Sequence, residues 1–338
     1  MCHDQSNDTP ALHFSEPTDQ MLITASYDHT HRRMATIGTF DGVHLGHRAL
    51  LSQLTEEAHA AGLIPTVVTF TSHPRRNITP ADAPPMLMSP RQRAEAIMAA
   101  GADDVILLDF DEKMRMMSAR EFMEMLHTRY SVEALLMGFN NSFGHDRPKG
   151  LDTYRAIGEE TGVRIIGASE LTIDGCCRVC SSEARELLLQ ARPEEAARML
   201  GAPYRIIGRV VHGKELGRTI GFPTANIEPL DKECLIPTNG VYAAAVTLAD
   251  GTTYPAMLNI GHRPSVDTPL APISIEAHIL GFDGDIYGTT VAVDFLRYMR
   301  PEHKFPSLDA LRSRLAEDAA AVMALSETKN MITSTCSI

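Results

Sequence analysis

Two histidines separated by two residues stand between a predicted strand and a predicted leucine-rich helix. They are His44 and His47, in the run GTFDGVHLGHRALL that spans residues 38–51. A helix N-terminus presents free N–H groups and a partial positive charge, an arrangement that suits phosphate. Imidazole N–H groups fixed at the same place would stabilise charge on the oxygens of a reacting phosphate. The run therefore predicts a phosphate-binding turn that takes part in catalysis.

The residues around the two histidines decide between a catalytic and a structural interpretation. Two histidines at this spacing, without further context, are more often ordinary surface or helix-capping residues. Glycine permits tight turns and a close approach of the backbone to a ligand. The context is a strand, Phe-Asp-Gly, His-x-Gly-His and an apolar helix, which resembles the nucleotidylyltransferase superfamily and class I aminoacyl-tRNA synthetases. That resemblance implies adenylyl transfer from ATP and leaves the acceptor open. The expected nucleotide contacts in this run are Gly38, Phe40, Asp41, Gly42 and Gly46.

Three further stretches place polar side chains where strands end or a helix begins. TFTSHPRR puts His73 after the second predicted strand, and GFNNSFGHDR puts Asn140 after the fourth. CSSEAR opens a later helix with Ser182 and Arg185. Ligands of open parallel sheets bind at the carboxyl ends of the strands, so these side chains are expected beside the two histidines. Each stretch alone is more typical of a loop, and their coincidence at one edge favours a site.

A second group of chemistry-bearing residues lies in VVHGKELGRTIGFPTANI, the most specific stretch in the chain. Lys214 and Arg218 stand among Gly213 and Gly217, so that backbone amides can approach phosphates there. These four residues are expected to bind a nucleotide.

Thr224 and Asn226, in the same stretch, are two positions apart and would point the same way in an extended segment. Both offer a neutral oxygen, a suitable pair for Mg²⁺ that also keeps phosphate and water ligands. A turn rich in Thr and Asn is the simpler interpretation of Pro-Thr-Ala-Asn taken alone. The specificity of the whole stretch supports the prediction of a metal site.

The segment ISIEAHIL alternates between apolar and polar residues, as a half-buried strand does. Glu276 and His278 share its polar face. A carboxylate in the middle of such a face is more often a solvated residue. As a general base, Glu276 would accept the proton of a substrate hydroxyl that attacks a γ-phosphate, an effect of about 10²–10⁴-fold in rate. The glycines and the metal would supply positioning and electrostatic stabilisation.

The elements that must position these residues change in type along the chain. Strands and helices alternate over 33–166, which predicts βαβ units around a parallel sheet. Capping boxes at Ser89 and Ser118 begin two of the helices. A helical stretch follows near 182–200. Five or six strands over 204–297 then predict a small antiparallel barrel or sandwich, before a last helix from about Ser307 to Val322.

The expected fold class is a two-domain protein. An α/β Rossmann-like nucleotidylyltransferase domain is predicted over 33–186, followed over 187–326 by a small antiparallel β-barrel kinase domain with a C-terminal helix. Residues 1–32 and 327–338 are predicted to be tails.

Composition limits the partners of this chain of 338 residues. The formal net charge is -12, which argues against binding to duplex nucleic acid because phosphate binding needs a basic surface. No stretch approaches the roughly 20 apolar residues of a membrane-spanning helix, and no signal peptide is evident. A cytoplasmic protein with no membrane partner is therefore expected, and a weak homo-oligomer is left open.

Taken together, these residues closely resemble the bifunctional bacterial riboflavin kinase/FAD synthetase family. The resemblance runs from residue 37 to about 322 and includes SSEAR, GRTIGFPTANI, NGVYAAAV, MLNIGHRP, IEAHILGFDGDIYG and FLRYMRPEHKFPSLDAL. It implies that the carboxyl half phosphorylates riboflavin to FMN with ATP and Mg²⁺. It also implies that the amino half transfers AMP from ATP to FMN, giving FAD and pyrophosphate.

The resemblance also implies roles for individual residues. Catalytic roles fall to His44, His47 and Arg185 in adenylyl transfer and to Glu276 in the kinase. Asn259 joins the nucleotide-binding residues, and Thr224 and Asn226 would bind the metal. Flavin binding is expected at His73, Asn140 and Arg297.

Departures from the family pattern all fall in the amino half. Ser182 stands where the family usually has Thr, Glu183 where it frequently has Arg, and Ser72 where it commonly has Pro. Asn140 and Asn141 stand where the family usually has Asp and Phe. The change at Glu183 removes a positive charge near the phosphates and adds a negative one. These departures motivate an alternative hypothesis, a riboflavin kinase with a weakened or altered adenylyltransferase domain. A flavin-binding protein without turnover is a third, which the intact kinase residues argue against.

Overall fold

A computed structural model describes residues 31–138, 141–169, 180–213, 217, 220–262 and 273–335 of the chain. Within these ranges the chain forms a parallel α/β sheet unit, two linking helices and a closed β-barrel with a long helix. The expected fold class is confirmed. Asn140, Lys214 and Arg218 lie outside the described residues.

The amino unit is built on five parallel strands in the order β3-β2-β1-β4-β5. The strands are β1 Arg33–Ile37, β2 Ile64–Phe70, β3 Asp104–Leu108, β4 Val132–Met137 and β5 Arg164–Gly167. The helices are α1 Leu45–Ala60, α2 Pro90–Ala99, α3 Glu112–Arg115, α4 Ala119–Tyr130 and α5 Leu151–Thr161. The strand order reverses at β1, so the run that follows β1 lies at the switch point where such sheets bind ligands.

Local capping fixes where two of these helices begin, as predicted. The Ser89 hydroxyl accepts from the Gln92 N–H while the Gln92 side chain accepts from the Ser89 N–H, and Pro90 occupies the first turn. Ser118 and Glu121 form the same reciprocal pair at the start of α4. Each pair satisfies two backbone donors that a helix end leaves open.

The carboxyl unit is a closed barrel of six antiparallel strands in the order β10-β7-β6-β11-β8-β9. The strands are β6 Tyr204–Val211, β7 Ala225–Pro229, β8 Gly240–Thr247, β9 Thr253–His262, β10 Ile273–Ile279 and β11 Thr290–Arg300. Strand β7 contains the end of the Pro-Thr-Ala-Asn stretch. Alternate residues of β10, such as Ile275 and Ala277, point into the barrel core, so Glu276 lies on the outer face.

A last helix, α8 Leu308–Thr335, covers part of that outer face. Val322 of α8 is buried against Ala243 of β8 and Met257 of β9, which also point outward. The helix extends beyond the predicted end at about residue 322. No helix in the part of the chain that the structure describes is long and apolar enough to span a bilayer.

Two helices, α6 Ser181–Leu189 and α7 Pro193–Leu200, link the units. The sequence predicted one helical stretch here. Ala191 has a φ of +60°, and a proline follows two residues later, so the chain turns between the two helices. Leu188 and Leu200 pack in the barrel core cluster.

Candidate active sites

The chain leaves β1 through a turn of unusual backbone shape. Phe40, Gly42 and Val43 have positive φ angles of 49°, 81° and 37°. Such angles are costly for a β-branched residue and persist only where the surroundings hold the backbone in place. A Cβ on Gly42 would lie 2.8 Å from side-chain carbons of both Leu87 and Leu200. The turn is therefore tightly packed and fixed in shape.

Asp41 lies at the centre of this turn and is buried, with 1% of its surface exposed. Its carboxylate accepts hydrogen bonds from the Leu87 N–H at 2.9 Å and the Met88 N–H at 3.1 Å. Nη2 of Arg185 donates to it at 2.6 Å, and the Ser181 hydroxyl donates to the Asp41 carbonyl at 2.7 Å. A buried carboxylate is tolerated where hydrogen bonds and an opposite charge compensate for lost hydration. Two predicted site residues are thus brought together as a buried ion pair beneath the turn.

His44 and His47 lie side by side at the start of α1. His44 is the N-cap residue, and its Nδ1 accepts the His47 backbone N–H at 3.3 Å. The two rings stack with centroids 3.6 Å apart, and the Phe40 ring lies 4.8 Å from that of His47. Because Nδ1 of His44 accepts a hydrogen bond, its ring proton is assigned to Nε2.

Burial makes both imidazoles neutral at pH 7. It lowers the pKa of His44 to about 4, and burial together with the adjacent His44 lowers the pKa of His47 well below its usual value. Nδ1 of His47 is enclosed and has no hydrogen-bond partner among the described residues. A neutral imidazole keeps one N–H donor. The pair can therefore donate hydrogen bonds to an anion without bringing formal charge of its own.

The other predicted residues of this half gather at the same edge of the sheet. His73 caps the short helix after β2, and burial and the nearby Arg185 guanidinium lower its pKa. The Gly38 N–H donates to β2 where β1 ends, and Gly46 lies in the first turn of α1. Ser182 is exposed in the first turn of α6. His73 therefore lies near Arg185 and Asp41, and Ser182 directly follows Ser181, whose hydroxyl contacts the Asp41 carbonyl.

The segment 85–88, which no sequence pattern singled out, joins this site to the barrel. The Met86 N–H donates to the Glu233 carbonyl at 2.9 Å, and the Leu235 N–H donates to the Met86 carbonyl at 2.7 Å. The next two residues of the segment donate to Asp41. All these donors are backbone N–H groups, so no residue type in the sequence marks the segment.

The second site is a cavity of about 770 Å³ between the outer face of the barrel and the segment around the start of α8. One wall is lined by Asn259, Glu276 and His278 of the strands and by Thr224, which directly precedes β7. The facing wall comes from residues 300–315. This volume lies within the range of pockets that hold small-molecule ligands.

Strand register places the predicted kinase residues in one row. Glu276 of β10 is paired with Asn226 of β7 on one side and with Asn259 of β9 on the other. The Thr224 hydroxyl lies 3.4 Å from Glu276 Oε2, at long hydrogen-bond distance. Residues paired across adjacent strands point to the same face, so Asn226, Glu276 and Asn259 share the outer face of the barrel. Thr224, Glu276 and Asn259 line the cavity itself.

Two predicted nucleotide-binding glycines pack against this row. A Cβ on Gly213 would lie 2.0 Å from Asn226 Nδ2, and a Cβ on Gly217 would lie 2.1 Å from the Phe222 carbonyl oxygen. The clash at Gly217 is with backbone, which no change of rotamer relieves, whereas the clash at Gly213 is with the buried side chain of Asn226, which would have to move. The glycines are therefore needed for the close packing of this stretch, in addition to any contact with phosphate.

Replacing Gly213 by Ala should impair the kinase selectively. The added Cβ must displace the Asn226 amide, so we expect FMN formation to fall by at least about 10-fold, equivalent to roughly 1.4 kcal/mol. Conversion of added FMN to FAD should stay within twofold. Gly251→Asn is the matched control, because Asn tolerates the φ of +85° at Gly251 and a Cβ there would meet none of the described residues within 4 Å. Flavins separated by chromatography give both rates, and a Gly213→Ala enzyme with normal FMN formation would contradict the packing argument.

Arg297, predicted to bind flavin, lies outside the cavity. Its Nε donates to Glu194 of α7 at 3.2 Å on the exposed surface of the barrel. Arg300, three residues later, does line the cavity, and it forms a buried ion pair with Asp318 of α8 at 2.7 Å. Arg300 was not among the predicted residues, because Arg297 was chosen from the family resemblance of its segment. Strand β11 carries register shifts between residues 295 and 300, which alter the alternation of its faces.

Two family models match the chain. The FAD synthetase model matches residues 26–183, and the riboflavin kinase model matches residues 200–326. A solved structure described as a macrolide-efflux protein from Streptococcus pneumoniae has a similar fold, with a TM-score of 0.79 and 29% identity. The match covers 90% of this chain and 99% of that one.

Curated relatives carry both activities in their names. The bifunctional riboflavin kinase/FMN adenylyltransferase of Pseudomonas fluorescens is 40% identical over 293 residues, covering 86% of this chain and 92% of the relative. The enzyme of the same name from Escherichia coli K12 is 36% identical over 286 residues, covering 84% and 89%. Nothing in these comparisons favours a kinase with a weakened adenylyltransferase domain. With both domains present in one polypeptide, the chain belongs to the bifunctional riboflavin kinase/FMN adenylyltransferase family.

Proposed function

We propose that the two reactions use two separate sites, with the sheet-edge turn adenylylating FMN and the barrel cavity phosphorylating riboflavin. The observation that carries this proposal is the placement of Glu276 and Asn259 on the wall of the barrel cavity, with Asn226 in register beside Glu276 on the neighbouring strand. These residues belong to one unit, whereas His44 and His47 belong to the other. Each set has the chemistry that one of the two reactions needs.

In the kinase reaction, Glu276 acts as general base. Its carboxylate accepts the proton of the riboflavin 5′-hydroxyl as that oxygen attacks the γ-phosphorus of ATP, and ADP leaves. The loose transition state of phosphoryl transfer depends on positioning and electrostatics, so the base must lie at a fixed place beside the phosphates. Cross-strand pairing on both sides of Glu276 fixes its backbone in that way.

Mg²⁺ is part of this proposal, and the residues present fit it. Thr224 and Asn226 offer neutral oxygens beside the Glu276 carboxylate, the kind of hard oxygen ligands that Mg²⁺ takes while keeping phosphate and water ligands. When bound, the ion would neutralise charge on the phosphates of ATP. Thr224 and Asn226 would hold it, and Gly213 and Gly217 would let the backbone approach the nucleotide.

In the adenylyl reaction, a phosphate oxygen of FMN attacks the α-phosphorus of ATP, and pyrophosphate leaves. The attacking oxygen is already an anion at neutral pH, so no base is required. The site needs donors for the charge on the phosphates, and the neutral imidazoles of His44 and His47 provide N–H groups for it. Arg185 and Asp41 hold the turn that carries them, and His73, Asn140 and Ser182 are proposed as further ligand contacts.

We also propose the domain limits 33–186 and 187–326, with α6 across the junction. Ser181, in its first turn, contacts Asp41, while Leu187 and Leu188 pack in the barrel core. A cytoplasmic location without nucleic-acid or membrane partners is supported by the use of ATP in both reactions and by the acidic composition.

One assay tests the proposal. The full chain is incubated with riboflavin and ATP, with and without Mg²⁺, and the flavins are separated over time. We expect FMN to appear first and FAD to follow, and both to stop when EDTA removes the metal. FMN formation that persists at full rate in excess EDTA would overturn the metal assignment.

A further inference from the structure

The ring of His278 is bonded to the backbone of the Pro-Thr-Ala-Asn stretch. Its Nδ1 lies 2.7 Å from the Pro223 carbonyl oxygen. A carbonyl only accepts hydrogen bonds, so Nδ1 carries the proton and donates. The neighbouring Phe222 ring meets the imidazole edge to face, with centroids 5.2 Å apart. Both rings line the kinase cavity.

The hydrogen bond from His278 to the Pro223 carbonyl lies just beyond the end of the pairing between β7 and β10. The pairing of β7 with β10 covers Asn226 and Ala225 and ends there. Thr224 directly precedes Ala225 in the chain, outside the paired segment. The residue before it is Pro223, which has no N–H to donate. Continuing the antiparallel register would place His278 opposite Thr224. The imidazole therefore holds a piece of backbone that the ladder no longer holds.

We propose that His278 is a positioning residue for the kinase site, acting through the Pro223 carbonyl to hold Thr224 beside Glu276. This inference rests on the proposed role of Thr224 as a metal ligand. The Thr224 hydroxyl lies 3.4 Å from Glu276 Oε2, a separation that depends on where the backbone at Pro223 is fixed. Partners that orient metal ligands in this way typically contribute about 10–100-fold in metal affinity or activity.

Two substitutions separate the hydrogen bond from the packing of the ring. His278→Asn keeps a donor near the position of Nδ1 and loses bulk against Phe222. His278→Leu keeps apolar bulk and removes the donor. We expect His278→Leu to raise the Mg²⁺ concentration for half-maximal FMN formation by about 10-fold, following the usual effect of such partners. His278→Asn should stay within about threefold of the wild type, and conversion of FMN to FAD should be unchanged in both.

A binding measurement gives a readout that does not depend on turnover. Calorimetric titration with ADP and Mg²⁺ reports the nucleotide sites, and the part of the signal lost in Thr224→Val belongs to the kinase site. His278→Leu should weaken binding in that part by about 10-fold, and in the Thr224→Val background it should cause no further change in the titration, because it acts through the same ligand. Normal Mg²⁺ dependence in His278→Leu would overturn the inference, and so would a defect in His278→Asn as large as that in His278→Leu. A wild-type chain that forms no FMN would instead contradict the proposed function.

Discussion

Glu276→Gln should reduce FMN formation by about 10²–10⁴-fold and leave the conversion of FMN to FAD intact. The amide has the size of the carboxylate and can still accept a hydrogen bond from the Thr224 hydroxyl, which lies 3.4 Å away. It cannot take a proton from the attacking hydroxyl of riboflavin. The change therefore removes the base and preserves the packing of the cavity wall.

The separation of the sites makes this prediction sharp. Glu276 lies on the outer face of the barrel, whereas the histidine pair belongs to the sheet edge of the other unit. FMN formation is measured from riboflavin, and the second step is measured separately from added FMN. Ser274→Ala is the matched control, because Ser274 lies on the same strand two residues away and its hydroxyl donates to the Gly261 carbonyl, at 3.3 Å. Equal losses in both steps would contradict two independent sites.

The sequence predicts most of the first unit because its signals are local. Ser89 and Ser118 mark helix starts through hydrogen bonds to residues three positions away, and the structure contains both capping boxes. The alternation of strands and helices implies a parallel sheet, and a parallel sheet brings the carboxyl ends of its strands to one edge. That rule places His44, His47 and His73 together without any knowledge of tertiary contacts.

Contacts between distant segments are where the prediction stops. Asp41 is predicted as a nucleotide contact from the run in which it stands, and the structure gives it partners that the run does not reveal, which are Arg185 and the backbone of residues 87 and 88. The partner of Asp41 is set by how α6 packs against the sheet, which no short sequence pattern encodes. For such a residue the sequence indicates importance and leaves open whether it touches a ligand or holds the turn.

In the kinase site, prediction from the sequence also stops at the register shifts of β11. Alternation along β10 correctly predicts that Glu276 and His278 share a face, because the strand is regular. Along β11 the register shifts, so Arg297 points toward α7 and Arg300 reaches the cavity. A bulge changes which face each following residue occupies, and it leaves no mark in residue types.

His47→Ala should reduce the conversion of FMN to FAD by about 10²–10³-fold, the usual cost of removing one donor to a charged transition state. The kinase step should stay within twofold. Nδ1 of His47 is enclosed, so Nε2 is the nitrogen available to a phosphate oxygen. His47→Gln places an amide N–H near that position and should recover part of the lost rate, since a neutral donor suffices where the native imidazole is itself neutral.

His59 provides the matched control for this helix. It lies in the last turn of α1, is exposed, and contacts Asp103 at 3.2 Å. His59→Ala should leave both reactions unchanged, which separates loss of a donor from general weakening of α1. If His47→Ala lowers the kinase rate in parallel with adenylylation, while the protein remains folded by circular dichroism, the histidine pair cannot belong to the adenylyl site alone. If His47→Gln recovers nothing, the loss reflects the stacked rings of His44 and His47, and their packing rather than the donor would be what adenylylation requires.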